Sequence, residues 1–95
     1  MVDTNEATVN FRLTAKECES LHYGRFLAFA VRSKIPAGDG PEWRWLAFTL
    51  AELRDLRESV DRVVGYAKAP HRGRYRAVRD RVDDCLARDR DHVDR

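Results

Sequence analysis

With 95 residues the chain has room for one hydrophobic core, and a domain of this size buries only about 60–65% of its unfolded surface, which favours support from a partner subunit. Charged residues make up 36% and apolar residues 43%, enough hydrocarbon to exclude global disorder, while the longest apolar runs, Phe26 to Val31 and Trp45 to Phe48, are too short to span a bilayer. A net charge of +2 is mild, so any electrostatic function has to be local.

In chain order, residues 1–6 carry neither the cationic start nor the apolar stretch of a secretory signal, so a cytoplasmic location and a frayed end are expected. Thr8 to Leu13 alternates, with Val9, Phe11 and Leu13 on one face and Asn10 and Arg12 on the other, the pattern of a half-buried strand. Thr14 followed by Glu17 has the spacing of a capping box, in which hydroxyl and carboxylate satisfy the free amides of a helix start. Gly24 is the expected end of that helix, because a glycine tolerates the left-handed terminating conformation.

Arg25 to Ile35 reads as a second strand. Arg25-Phe-Leu-Ala-Phe echoes Arg44-Trp-Leu-Ala-Phe, and Ile35-Pro-Ala-Gly-Asp-Gly-Pro41 between them is dense in turn formers, so the two runs are expected to pair as an antiparallel hairpin. Continuation of the first helix to about Lys34 is the competing reading, since Leu27, Ala28 and Ala30 are good helix formers. The turn cluster is not a phosphate cradle, as it lacks both the Gly-Lys-Ser/Thr ending and the Gly-x-Gly-x-x-Gly spacing.

Trp43 to Phe48 is expected as a strand, Thr49 with Glu52 as a second capping box, and Leu50 to Ala67 as an amphipathic helix with Leu53, Leu56, Val60, Val63, Val64 and Ala67 along one stripe. The strand, cap and helix unit thus occurs twice, as Phe-Arg-Leu-Thr-Ala-Lys-Glu and Phe-Thr-Leu-Ala-Glu. After a break at Lys68 to Gly73, helical spacing resumes with Tyr75, Val78, Val82, Cys85 and Leu86. Residues 89–95 lose the stripe and are expected to fray.

These elements predict a single α+β domain over 1–95, in the order β-α-β-β-α-α. A small three-stranded sheet containing an antiparallel hairpin carries the C-terminal helical hairpin on one face. The uncovered face or an edge strand is then left for a second copy or another chain.

Lys68 to Arg81 holds six basic residues against one acidic, and an acidic tail follows. Lys68, Arg72, Arg74, Arg76, Arg79 and Arg81, with His71 and Tyr75 among them, form a basic elbow that suits phosphates and unpaired bases. The plainer reading is a solvated face, because Arg76 with Asp80 and Arg79 with Asp83 have the spacing of helical ion pairs. Cys18 and His22 share a helix face and have the spacing of a thiolate–imidazole pair, but the sequence places no orienting carboxylate beside them, and Cys18 fits equally as a small buried hydrophobe. No set of four ligands has zinc spacing, and Cys18 and Cys85 belong to no Cys-x-x-Cys pair, so reduced thiols, no metal and no cofactor are expected.

Trp43 and Trp45 fall on one face of their strand, and paired tryptophans are more often core than exposed, since a small domain with few large residues needs them there. Together with Phe29 they are the candidate partner-binding residues. The expected function is a non-enzymatic interaction or accessory protein, acting as a homodimer or as a subunit docked on a larger protein. The alternative is an RNA- or DNA-binding module using the elbow.

Overall fold

A computed structural model describes residues 8–37 and 42–93, with side chains described to Arg88. The two chain ends expected to fray lie in part outside these residues, as do Gly38 to Pro41 of the turn cluster. The elements are β1 (Thr8–Thr14), α1 (Ala15–Gly24), α2 (Phe29–Arg32), β2 (Trp43–Thr49), α3 (Leu50–Val64) and α4 (His71–Val93).

The chain is α+β, with one antiparallel sheet of two strands among the described residues. β1 pairs β2 from Thr8 opposite Thr49 to Thr14 opposite Trp43, and the Ala15 amide extends the ladder by donating to the Glu42 carbonyl at 2.9 Å. Phe11 faces Leu46 across the strands. The sequence offset that relates Phe11 to Leu46 also relates Thr14 to Thr49 and Glu17 to Glu52, so a local two-fold passes through the Phe11 and Leu46 pair. The repeated unit in the sequence is therefore a symmetric pair of strands, each feeding a capped helix. Both capping boxes are complete: Thr14 Oγ1 accepts the Glu17 amide at 3.0 Å and Glu17 the Thr14 amide at 2.9 Å, and Thr49 with Glu52 repeats this at 3.1 and 2.8 Å.

The three-stranded sheet and its hairpin are corrected here. Arg25 to Ile35 is no strand. Arg25 takes a left-handed φ of 55° just after α1, Phe26 and Leu27 turn in to pack against the core, and Phe29–Arg32 makes one helical turn. The run has no alternation and no β-branched residue before Val31, so burial of Phe26, Leu27, Val31 and Ile35 decides its path. Gly24 lies within α1, and the left-handed residue is Arg25, one position later than expected. Glycine is required at position 24 because a Cβ there would collide with the Phe26 ring folded back upon it.

A flanking strand would also have to displace two cations. Lys34 Nζ donates to the Ala47 carbonyl at 3.1 Å on the free side of β2, and Arg81 Nη1 to the Arg12 carbonyl at 3.0 Å on the free side of β1. Lys34 also pairs with Glu52 at 2.7 Å. Burial alone would raise the Glu52 pKa, but the hydrogen bonds from Lys34 and the Thr49 amide outweigh it and hold the carboxyl below its ordinary value.

The inward sheet face gives Phe11, Leu13 and Phe48 to the core, with Phe11 and Phe48 edge to face at 6.2 Å. α3 and α4 form the expected helical hairpin, contributing Leu53, Leu56, Val60, Val63, Tyr75, Val78 and Val82, while α1 adds Cys18 and Leu21. α3 starts at Leu50 as expected but ends at Val64, and α4 begins at His71, taking in Gly73. Arg57 to Asp83 at 2.8 Å and Arg79 to Asp61 at 3.0 Å cross the hairpin on its exposed side, where such pairs add little stability.

Candidate functional site

Strand alternation sends Thr8, Asn10, Arg12 and Thr14 of β1, with Trp43, Trp45, Ala47 and Thr49 of β2, to the face away from the core. Arg12 sits directly opposite Trp45, and the opposed residues on this face belong to the narrower, non-hydrogen-bonded pairs of the ladder, which brings their side chains close. The Arg12 guanidinium accordingly lies 4.3 Å from the Trp43 ring and 5.7 Å from the Trp45 ring, and Arg81 reaches Trp43 from α4 at 5.4 Å. Cation–π attraction holds the two indoles in place while leaving Trp43 41% and Trp45 63% exposed. The result is an outward aromatic face with little side-chain entropy left to lose on contact. A shallow depression of about 200 Å³ adjoins it, walled by Asn10, Arg12, Trp45, Arg81, Asp84 and Arg88 among others.

Phe29, the third residue assigned to partner binding, is 84% exposed but stands on α2, which packs on α3. It does not extend the tryptophan face.

Much of the basic elbow is engaged within the fold, although Lys68, Arg72 and Arg76 are exposed. Arg72 Nε donates to the Ala67 carbonyl at 2.7 Å, Arg79 pairs with Asp61 and Asp80, and Arg81 chelates Glu17 at 2.7 and 2.9 Å. His71, Arg74 and Tyr75 converge on Ser20 of α1. The Ser20 hydroxyl lies 2.8 Å from His71 Nδ1, accepts from Arg74 at 3.0 Å, and the Ser20 carbonyl accepts the Tyr75 hydroxyl at 2.7 Å. Burial and the neighbouring Tyr23 push the Tyr75 pKa up. Of the elbow residues, only Arg79 and Arg81 make ion pairs among the described residues, while Arg72 and Arg74 donate to neutral oxygens. Asp80, expected to pair with Arg76, pairs with Arg79 instead.

Ser20 was not singled out from sequence, yet it ties α1 to the elbow. Its signal was a polar residue on the buried stripe between Cys18 and Leu21, a position that demands a hydrogen-bond partner. The hydroxyl and imidazole have the spacing of a nucleophile and its base, but Ser20 is fully buried and has no route to a substrate.

Cys18 is wholly enclosed, and burial, opposed by the Arg44 charge, pushes its thiol up to about 11, so it stays protonated at neutral pH. His22 is engaged elsewhere, with Nε2 2.6 Å from the Ile35 carbonyl and Nδ1 accepting from Arg32 at 3.3 Å. The two residues that share this spacing are thus one protonated, enclosed thiol and one imidazole that fastens the Arg25 to Ile35 segment. Among the described residues no group of three or more His, Cys, Asp or Glu side chains is arranged to hold a metal ion, and no helix is long and apolar enough to cross a membrane.

Comparison of the chain with protein-family models, with curated proteins and with solved structures finds no match.

Proposed function

We propose that this protein is a non-enzymatic docking module of the cytoplasm, which associates through the outer sheet face centred on Trp43 and Trp45, either with its own copy or with a larger protein. One observation carries the reading: two large indoles stand in solvent on an otherwise polar sheet face, each braced by Arg12. Aromatic and arginine side chains dominate interface energetics, and a braced ring gives its full contact area with little ordering cost. The thin core expected of a chain this short supports the same reading.

The nucleic-acid alternative draws less support, because Arg72, Arg74, Arg79 and Arg81 serve the fold itself. Binding by phosphate contacts would weaken steeply with salt, whereas apolar docking responds little.

The chain has two tryptophans, and both lie on the proposed face, so their emission reports its coverage directly. Sedimentation velocity and tryptophan emission are measured together over a concentration series, alone and with candidate partners. The expected result is a rise in mass accompanied by a blue shift, largely independent of salt and abolished by Trp45→Ala with unchanged far-ultraviolet circular dichroism. Association that leaves the emission unshifted, or that survives Trp45→Ala, would place the contact elsewhere and overturn the proposal.

A further inference from the structure

A second feature stands apart from the tryptophan face. The ends of α1 and α3 and the start of α4 enclose a half-open cavity of about 360 Å³, lined by Tyr23, Gly24, Phe26, Val63, Tyr66, Ala67, Lys68, His71 and Tyr75. Its volume lies at the small end of the range for small-molecule sites, and its walls are mostly aromatic.

The walls are fixed before anything enters. Tyr23 stacks on His71 at 4.2 Å with the planes 10° apart, and Phe26 meets Tyr75 edge to face at 5.2 Å. Behind them, Ser20 anchors His71 through its hydroxyl and Tyr75 through its carbonyl. At the lip, Gly24 admits the Phe26 ring and Arg25 is held at a positive φ that few side chains adopt. Tyr66 is exposed at the mouth.

The polar side chains of this lining are three phenols, one ammonium and one imidazole, with no carboxylate among them. Lys68 supplies a positive charge. His71 has Nδ1 2.8 Å from the Ser20 hydroxyl, which also accepts from Arg74; in the tautomer whose Nδ1 accepts that hydroxyl proton, the ring carries its own proton on Nε2. A cage for a quaternary ammonium group would need the opposite charge.

We propose that this cavity binds a small planar aromatic carboxylate, with the ring between the tyrosine walls and the carboxylate toward Lys68 and His71. One lysine matches one negative charge, and the volume suits one or two fused rings better than a nucleotide. The site is independent of the docking face.

The test is calorimetric titration with naphthoate, its uncharged amide and naphthylmethylamine, on the wild-type chain and three variants. Saturable naphthoate binding is expected below about 1 mM, with the amide and the amine weaker by about tenfold. Lys68→Met and Tyr66→Ala change exposed side chains, and each is expected to weaken naphthoate by about three- to tenfold. Trp45→Ala is expected to leave naphthoate binding unchanged, which separates this site from the docking face. No saturable binding to the folded wild-type chain, equal binding of the acid and the amine, or full affinity in both Lys68→Met and Tyr66→Ala would overturn the proposal.

Discussion

Arg81→Met is the substitution that asks most of the fold. The guanidinium sits where β1, α1 and α4 meet, donating to both oxygens of Glu17 at 2.7 and 2.9 Å and to the Arg12 carbonyl at 3.0 Å. Glu17 in turn completes the α1 capping box, and its side chain is 7% exposed against 25% for Arg81. Methionine keeps the apolar stem and strips the charge, leaving a carboxylate with little water around it. Breaking a buried ion pair from one side costs about 3–5 kcal/mol, and since a quarter of the arginine already meets solvent, the figure falls to about 2–3 kcal/mol. A chain of this length has a total stability of roughly 5–14 kcal/mol, so the loss is a substantial part of it. At a urea slope of about 1–1.5 kcal/mol per molar, the unfolding midpoint should drop by about 2 M. Glu17→Gln preserves an oxygen for the Thr14 amide and lets the arginine rehydrate, so it should cost less. Because the two residues act as a unit, the double variant should be more stable than the two single losses added together imply, by at least about 1 kcal/mol. A midpoint shift below about 0.5 M for Arg81→Met, or strict additivity in the cycle, would refute this account of the junction.

Two further outcomes follow from the caps and the buried thiol. Thr14→Ala and Thr49→Ala each remove a hydroxyl that accepts a helix amide. Each should lower stability by about 1 kcal/mol in urea melts, and a negligible loss at both would mean that packing alone sets the helix starts. The Cys18 thiol ionises near 11 in the fold against 9.0 when exposed, so it keeps a proton that the unfolded chain gives up. That contribution is complete below the unfolded value and is lost as pH rises through the folded one, with a slope of up to about 1.4 kcal/mol per pH unit. Tyr75 acts in the same direction, so the check is a comparison. Cys18→Ala should show a shallower alkaline decline than wild type between about pH 8 and pH 10, and identical slopes would contradict the burial argument.

The caps, both strands that form and the helical hairpin were legible because each is written in local spacing. Thr14 to Glu17 and Thr49 to Glu52 need only adjacent residues to be read. Arg25 to Ile35 was misread for the opposite reason. An apolar run without period is decided by what lies beside it, and here Gly24 and Tyr75 take Phe26 while Lys34 takes the β2 flank. The elbow shows the same limit. Its positive charge was plain in sequence, yet the partners that absorb it, Glu17, Ser20 and Asp61, lie far away in the chain. The tryptophan pair was placed on one face correctly by alternation, but the side of the sheet that faced water depended on where Phe11, Leu13 and Phe48 went.

A ribbon of only two strands has two open flanks, and open flanks are where foreign strands add and fibres begin to grow. Here a lysine stands over the middle of one flank and an arginine over the middle of the other, each tethered by a carboxylate of its own. An incoming strand must evict a paired cation before it can pair along the whole of either flank. Lateral growth is therefore discouraged at both sides, and the docking proposed above would join copies through their broad surfaces, in assemblies that stop at a fixed number instead of running on into filaments.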